Sequence, residues 1–420
     1  MGAMNSMTDA PISDRMKAAA ETYVKLVLSV GEHDHDYVDA YFGPASWREE
    51  IKRSTPSLEE IRSSTQRVLE VLENIPASTE EIARLRQLYL TRQLQALLAR
   101  LEMLQGRVFS FDEEARALYD AAPPHHPESF FRTVLANLEG MVPGTGTLAQ
   151  RYEEYRKGFV IPPHRLDDVF QAATRECRER TRQMIDLPPG EQFALEYVKN
   201  KPWSGYNWYK GESISLIQIN TDLPIYIDRA VDLAAHEGYP GHHVYNSMLE
   251  MHLARERGWV EFTVYALFSP QSLIAEGTAN FGIEVAFPGN ERIEFEREVL
   301  FPAAGLDRSR AAEYYSVHRL TGVLSYAHNE AARSYLDGAM NRQQAEEWLV
   351  TYALMAHERA RQRVGFIDAY RSYVINYNLG QDLVRQYIES RGGTDDAPRK
   401  RWDEFRRLIS SPRLPSGLRT

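Results

Sequence analysis

Residues 234–243 read Ala234-Ala235-His236-Glu237-Gly238-Tyr239-Pro240-Gly241-His242-His243. A His-Glu pair in an apolar helical run is half of the H-E-x-x-H arrangement, in which two imidazoles one turn apart hold zinc and the intervening Glu activates water. Here the fourth residue after His236 is Pro240, so that version is closed. His242 follows His236 by six residues, and an unbroken helix would turn it about 240° away. Pro240 lacks a backbone donor and crowds the preceding turn, while Gly241 tolerates backbone angles that other residues avoid. The pair therefore predicts a helix that breaks between the two histidines and lets them meet. His243 is the rival second ligand: seven residues return it to the face of His236, but about 10 Å further along the axis, which favours His242.

A catalytic zinc keeps three protein ligands and an open position. The third is expected from Glu276, in Ser272-Leu273-Ile274-Ala275-Glu276-Gly277-Thr278-Ala279-Asn280. A lone carboxylate among apolar and small residues is costly to bury unless something compensates it, and a metal would. Gly277 and Ala279 would admit a close neighbouring helix, and Asn280, one turn on, could orient a ligand. Glu237 is then the expected general base, moving a proton from water to the leaving amine. The stretch Arg371-Ser372-Tyr373-Val374-Ile375-Asn376-Tyr377-Asn378-Leu379-Gly380 holds Arg and Tyr donors suited to an oxyanion or a substrate carboxylate. A helix start with packed aromatics reads equally well there, and Arg371 or another Arg in the C-terminal third is expected to clasp a free peptide carboxylate, which would show as a preference for unblocked C-termini.

The rest of the chain bounds these expectations. With 420 residues, 43% hydrophobic and 26% charged, it has the composition of a folded globular protein able to bury a large core. A net charge of −10 argues against nucleic-acid or anionic-membrane partners. Cys177 is the single cysteine, which excludes an internal disulfide and a multi-thiolate zinc site. A cytoplasmic location is expected, since no run of about 18 apolar residues and no secretory leader is present.

Residues 1–7 read as an expression leader before Met7, 8–189 as a helical lobe, 190–392 as a catalytic lobe with a small sheet, and 393–420 as a tail. Ser78-Thr79-Glu80-Glu81 suggests a capping box opening a long amphipathic helix that ends before Gly106. Between about 190 and 225 the texture becomes aromatic and β-branched, so 206–211 and 213–220 predict one or two strands. A helix is expected from near Asp228 into the Pro240 break, and helices again to about 390.

The block from His236 to His243, followed by Glu276-Gly277-Thr278-Ala279-Asn280-Phe281-Gly282-Ile283-Glu284, resembles the bacterial family known as domain of unknown function 885. Its signature is His-Glu-x-x-Pro-Gly-His-His and then Glu-Gly, with Thr278 here standing where typical members carry Trp. That family is similar to the zinc peptidases with a Glu third ligand, such as carboxypeptidase Taq, thimet oligopeptidase and dipeptidyl-peptidase III. The resemblance implies a mainly α, zincin-like metallopeptidase: two helical lobes around a cleft, with a small β-sheet next to the metal helix. It implies His236, His242 and Glu276 as ligands to one zinc, Glu237 as base and Tyr373 or Tyr377 as transition-state donor. An edge strand at 213–220, carrying Ile217 and Ile219, would bind an extended peptide.

The expected function is zinc-dependent hydrolysis of short peptides, of carboxypeptidase or oligopeptidase type. The competing expectations are an amidohydrolase of non-peptide amides and a non-catalytic helical scaffold. Oligomeric state is not legible, and a homodimer is compatible with the composition.

Overall fold

The structure, a computed structural model, describes residues 11–419, so the leader at 1–7 lies outside the described residues. Amphipathic periodicity forms helices wherever it was expected in the N-terminal region. In α1 (Ile12–Gly31) Tyr23, Val24, Val27 and Val30 recur on one buried face. After it β1 (Val38–Tyr41) crosses toward the cleft. The Leu58–Glu73 helix opens with a capping box between Ser57 and Glu60.

The box expected at Ser78–Glu81 does not form. Glu80 is the N-cap of the Glu81–Leu104 helix without a side-chain cap, and the Ser78 hydroxyl accepts the Glu80 N–H at 3.1 Å, closing a turn ahead of the helix. The helix itself ends as expected, with Gly106 following at φ +97°. Further helices lead to α2 (Leu166–Arg182), which carries Cys177 on its buried side.

A three-stranded sheet follows, made of β2 (Gln192–Val198), β3 (Gly205–Gly211) and β4 (Ile214–Asn220) in the order β2-β4-β3. β4 runs parallel to β2 and antiparallel to β3, so Ile217 faces Leu195 on one side and Asn207 on the other. This corrects the expectation of an edge strand at 213–220: β4 is the centre of the sheet, and β3 is the edge strand that reaches the cleft. Alternation places Ser215, Ile217 and Ile219 on one buried face. Ile217 and Ile219, 2% and 1% exposed, belong to the hydrophobic core, so they are core residues and not substrate contacts.

Next come α3 (Asp228–Leu233), α4 (His242–Leu249) and β5 (Val264–Ala266), the last pairing antiparallel with β1. α5 (Pro270–Ala286) is buried on almost every side, as its continuous apolar run requires. It crosses against α7 (Ile375–Ser390), which α6 (His357–Tyr370) precedes. At the crossing Gly277 meets Gly380: a Cβ on Gly277 would fall 2.4 Å from the Gly380 carbonyl oxygen. The close approach expected at Gly277 is therefore a backbone contact that any side chain would push apart.

α8 (Pro398–Ile409) sends Trp402, Phe405, Leu408 and Ile409 into the same core that holds Val24, Leu94, Phe170 and Leu273. The fold is mainly helical with small sheets. No helix of the described residues is long and apolar enough to cross a membrane.

Candidate metal centre and cleft

α3 widens into a π turn over Ala234–Gly238, after which Tyr239 takes an extended conformation and α4 restarts at His242. The helix thus breaks where Pro240 and Gly241 predict. A Cβ on Gly241 would lie 1.9 Å from the His236 carbonyl oxygen, so only glycine fits the re-entry. Across the break, Nε2 of His242 comes within 3.1 Å of Nε2 of His236, with the two rings nearly perpendicular.

Glu276, on α5, completes the group. Its Oε2 lies 3.2 Å from His236 Nε2 and 3.6 Å from His242 Nε2. Its other oxygen, Oε1, accepts the Tyr373 hydroxyl at 2.8 Å. Nδ1 of His236 stands 2.9 Å from Asn280 Oδ1, and Asn280 Nδ2 donates to the Tyr377 carbonyl at 2.8 Å. The amide therefore presents its oxygen to the imidazole, Nδ1 carries the proton, and Nε2 is left with a lone pair.

Three donor atoms consequently converge, all within 4.8 Å of one another. Oε2 of Glu276 is buried and accepts no hydrogen bond among the described residues. Two imidazole nitrogens and a carboxylate oxygen fit a zinc-type cation with an open position. The local field agrees. Burial opposes charge on His242, but Glu276, Glu237 and Asp39 outweigh it and carry its pKa up to about 9. Burial would raise Glu276, yet the two histidines hold it well below the usual carboxylate range. A second carboxylate and histidine group, Asp228, Asp232 and His318, also lies close together. Its carboxylates already face Arg156, Arg229 and Arg292, which neutralise them.

His243 points away from this group. Its Nδ1 is 2.8 Å from the Ser215 hydroxyl on β4, and its Nε2 is 3.1 Å from Glu191, which also accepts the Tyr239 hydroxyl at 2.6 Å. All are buried, so His243 ties α4 to the sheet.

Glu237 lines the cleft beside the donor group. Its backbone carbonyl accepts Asn207 Nδ2 at 2.7 Å, and a Cβ on Gly205 would sit 2.8 Å from its Oε1, so the glycine leaves room for the carboxylate. Burial raises its pKa, the two histidines oppose the rise, and Glu276 adds to it.

The cleft encloses about 660 Å³. Tyr373 and Tyr377 both line it, but they differ. The Tyr373 hydroxyl is committed to Glu276, whereas the Tyr377 ring stacks on His236 and its hydroxyl makes no hydrogen bond among the described residues. Arg371 is a correction. Its Nε donates to Glu114 Oε2 at 2.6 Å, and it does not line the cleft.

Sequence reasoning missed several cleft residues. Asp39, on β1, accepts the Tyr206 hydroxyl, and burial lifts its pKa to about 6 despite that bond. Arg359 and Arg363 face the cleft from α6, and His328 faces it from the 327–336 helix. Asp39 sits some two hundred residues before the motif, and only the pairing of β1 with β5 brings it near. The arginines carried a usable signal in their spacing of one helical turn.

Comparison with known proteins bears on the fold. A crystal structure from Colwellia psychrerythraea, described as a "putative lipoprotein", aligns with a TM-score of 0.54 at 14% identity, covering 88% of this chain and 64% of that one. This chain thus spans less than two thirds of that protein's length. A "putative lipoprotein of unknown function" from Shewanella oneidensis aligns with a TM-score of 0.41 at 13% identity, covering 97% and 81%. The first likeness speaks to fold alone, and the second carries no argument. No protein-family model and no curated protein matches the chain.

Proposed function

We propose that this chain is a zinc-dependent hydrolase of peptide bonds in short peptides, of carboxypeptidase or oligopeptidase type. One observation carries the reading: His236 Nε2, His242 Nε2 and Glu276 Oε2 converge as unshared donors in a cleft that also holds the Glu237 carboxylate. The resemblance of the His236–His243 and Glu276–Gly277 blocks to domain of unknown function 885 and to helical zinc peptidases supports the same reading.

When bound, zinc polarises a carbonyl and makes water a nucleophile near neutral pH. Glu237 takes a proton from the attacking water as its oxygen bonds the peptide carbon, then passes that proton to the amine as the C–N bond breaks. The Tyr377 hydroxyl, which has no hydrogen-bond partner among the described residues, would donate to the oxyanion. Tyr373 and Asn280 position Glu276 and His236. β3, whose outer edge pairs with no strand among the described residues, would offer backbone groups to an extended peptide. A cytoplasmic location belongs to this proposal and rests on the lone, buried Cys177.

The test is elemental analysis of purified protein together with cleavage of a mixed peptide library. About one zinc per chain and peptide cleavage, both lost in Glu276→Ala, are expected from one three-ligand site. A wild-type protein that takes up no metal when zinc is supplied, or that holds zinc and cuts no peptide, would overturn the reading.

A further inference from the structure

α6 turns one face to the cleft. Arg359, Gln362, Arg363, Phe366 and Tyr370 line it at helical spacing, which sets two guanidinium groups one turn apart. Elsewhere in the cleft the arginines are neutralised: Arg229 and Arg292 both pair with Asp232, at 3.2 and 2.8 Å. Arg359 and Arg363 are not. Arg359 donates to the Pro224 carbonyl at 2.6 Å and lies over the Tyr226 ring, while Arg363 rests 5.3 Å from the Phe366 ring centroid. Neither forms an ion pair among the described residues.

Arg359 and Arg363 are half-buried, and like charges one helical turn apart repel, so the pair favours an anion between them. Burial disfavours the charge on both, and Arg156 and Arg229 add repulsion at Arg359. His328, beside them, supplies no negative charge: burial and Arg363 hold it neutral, and its buried Nε2 has no hydrogen-bond partner among the described residues. The arrangement lacks an anion, and it opens onto the cleft from which an anion can enter.

Its position relative to the metal donors follows from the aromatic contacts. Phe366 lies 6.3 Å, centroid to centroid, from Tyr377, whose ring stacks on His236. Arg363 thus lies along the cleft wall that runs through Phe366 and Tyr377 to His236. Asp39, Glu237 and Glu276 lie at the metal end of the cleft, and the α6 end holds the guanidinium groups that would attract a substrate carboxylate.

We propose that Arg363, with Arg359 beside it, is the subsite for the free carboxylate of a peptide C-terminus, so that the substrates are short peptides with unblocked C-termini. The planar guanidinium suits a carboxylate in a bidentate pair. This rests on the peptidase reading and deepens it.

The experiment is calorimetric titration of zinc-loaded Glu237→Gln protein, in which turnover is expected to be slowed by about 10²- to 10⁴-fold, with tetra-alanine and with tetra-alanine amide. The acid is expected to bind about 10- to 100-fold more tightly than the amide, the scale of a charge-assisted hydrogen-bonded pair. Adding Arg363→Ala should bring that ratio to about one, and Arg363→Lys should retain part of it. Arg363→Gln, which keeps most of the side-chain volume, serves if the alanine variant melts early. Equal binding of acid and amide, a preference that survives both Arg363→Ala and Arg363→Gln, or no binding of the acid would overturn the subsite. Wild-type cleavage of a C-terminally blocked peptide reports separately. Blocked peptides cut without any preference for the acid would remove the Arg363 subsite and leave the peptidase. An Arg363-dependent preference in binding, with no peptide cut, would remove the peptidase and keep the carboxylate site.

Discussion

Asn280 sits one turn beyond Glu276 on α5 and grips His236 from behind, its Oδ1 2.9 Å from the imidazole Nδ1 and its Nδ2 held by the Tyr377 carbonyl. The carbonyl decides which way the amide faces, and the amide decides which nitrogen of His236 is bare. Asn280→Ala should therefore weaken zinc binding by about 10- to 100-fold, as loss of an orienting partner does. Competition with a chelator of known affinity measures this. An unchanged zinc affinity would mean that the imidazole is held by packing alone.

The adjacent histidines should behave oppositely. His242→Ala removes a donor from the converging group, and zinc content should fall well below one per chain. His243→Ala leaves that group intact but strips Ser215 and Glu191 of their buried partner, so zinc should be retained while stability falls by about 1–3 kcal/mol. Metal analysis and urea unfolding of the two variants decide between them. The reverse pattern would make His243 the ligand.

Glu237→Gln keeps the shape of the side chain and removes the base. Peptide turnover should drop by about 10²- to 10⁴-fold, the usual worth of a positioned general base, with zinc content unchanged. Turnover within a few-fold of wild type would assign proton transfer to another group.

At the α5–α7 crossing, two effects oppose each other in Gly277→Ala. Alanine gains about 1 kcal/mol of helix propensity. Its Cβ would meet a backbone oxygen at 2.4 Å, which no side-chain rotation can relieve, and overpacking of this kind costs about 1–3 kcal/mol or more. The clash should win, seen as a lower urea midpoint. A raised midpoint would show that the two helices can part freely.

His328 makes stability depend on acid. Its ordinary pKa of 6.5 is pushed down to about 3 in the fold by burial and then by Arg363, so between these values the unfolded chain binds a proton that the folded chain refuses. Its stabilising contribution is complete above about pH 6.5 and is lost as pH falls toward 3, at a slope near 1.4 kcal/mol per pH unit. His328→Gln should flatten the stability profile of wild type between about pH 6 and pH 4. Parallel profiles for the two proteins would place the acid sensitivity elsewhere.

What could be read from the chain, and what could not, divides along sequence distance. The broken helix was legible because Pro240 and Gly241 act on their own neighbours, and Glu276 because a carboxylate in an apolar run calls for compensation. Asn280 followed from one turn of spacing. Strand order was not legible: β4 has the composition of a buried strand whether it lies at the edge or the centre, and only pairing with both β2 and β3 decides. Arg371 failed for a related reason. Its neighbours Tyr373 and Tyr377 face the cleft, but the backbone at Arg371 has φ +52° and turns its side chain to Glu114. Asp39 and Arg363 reach the cleft only through tertiary contacts.

The contact of Gly277 with Gly380 also sets where this protein can change. With backbone against backbone, the helix that carries Glu276 and the helix that follows Tyr373 move as one body, and neither can be re-spaced by exchanging side chains. The α6 face carries no metal donor and presents only side chains to the cleft. Substitutions there can redraw which molecules are admitted while the converging donors stay where they are, so selectivity and metal affinity can evolve separately.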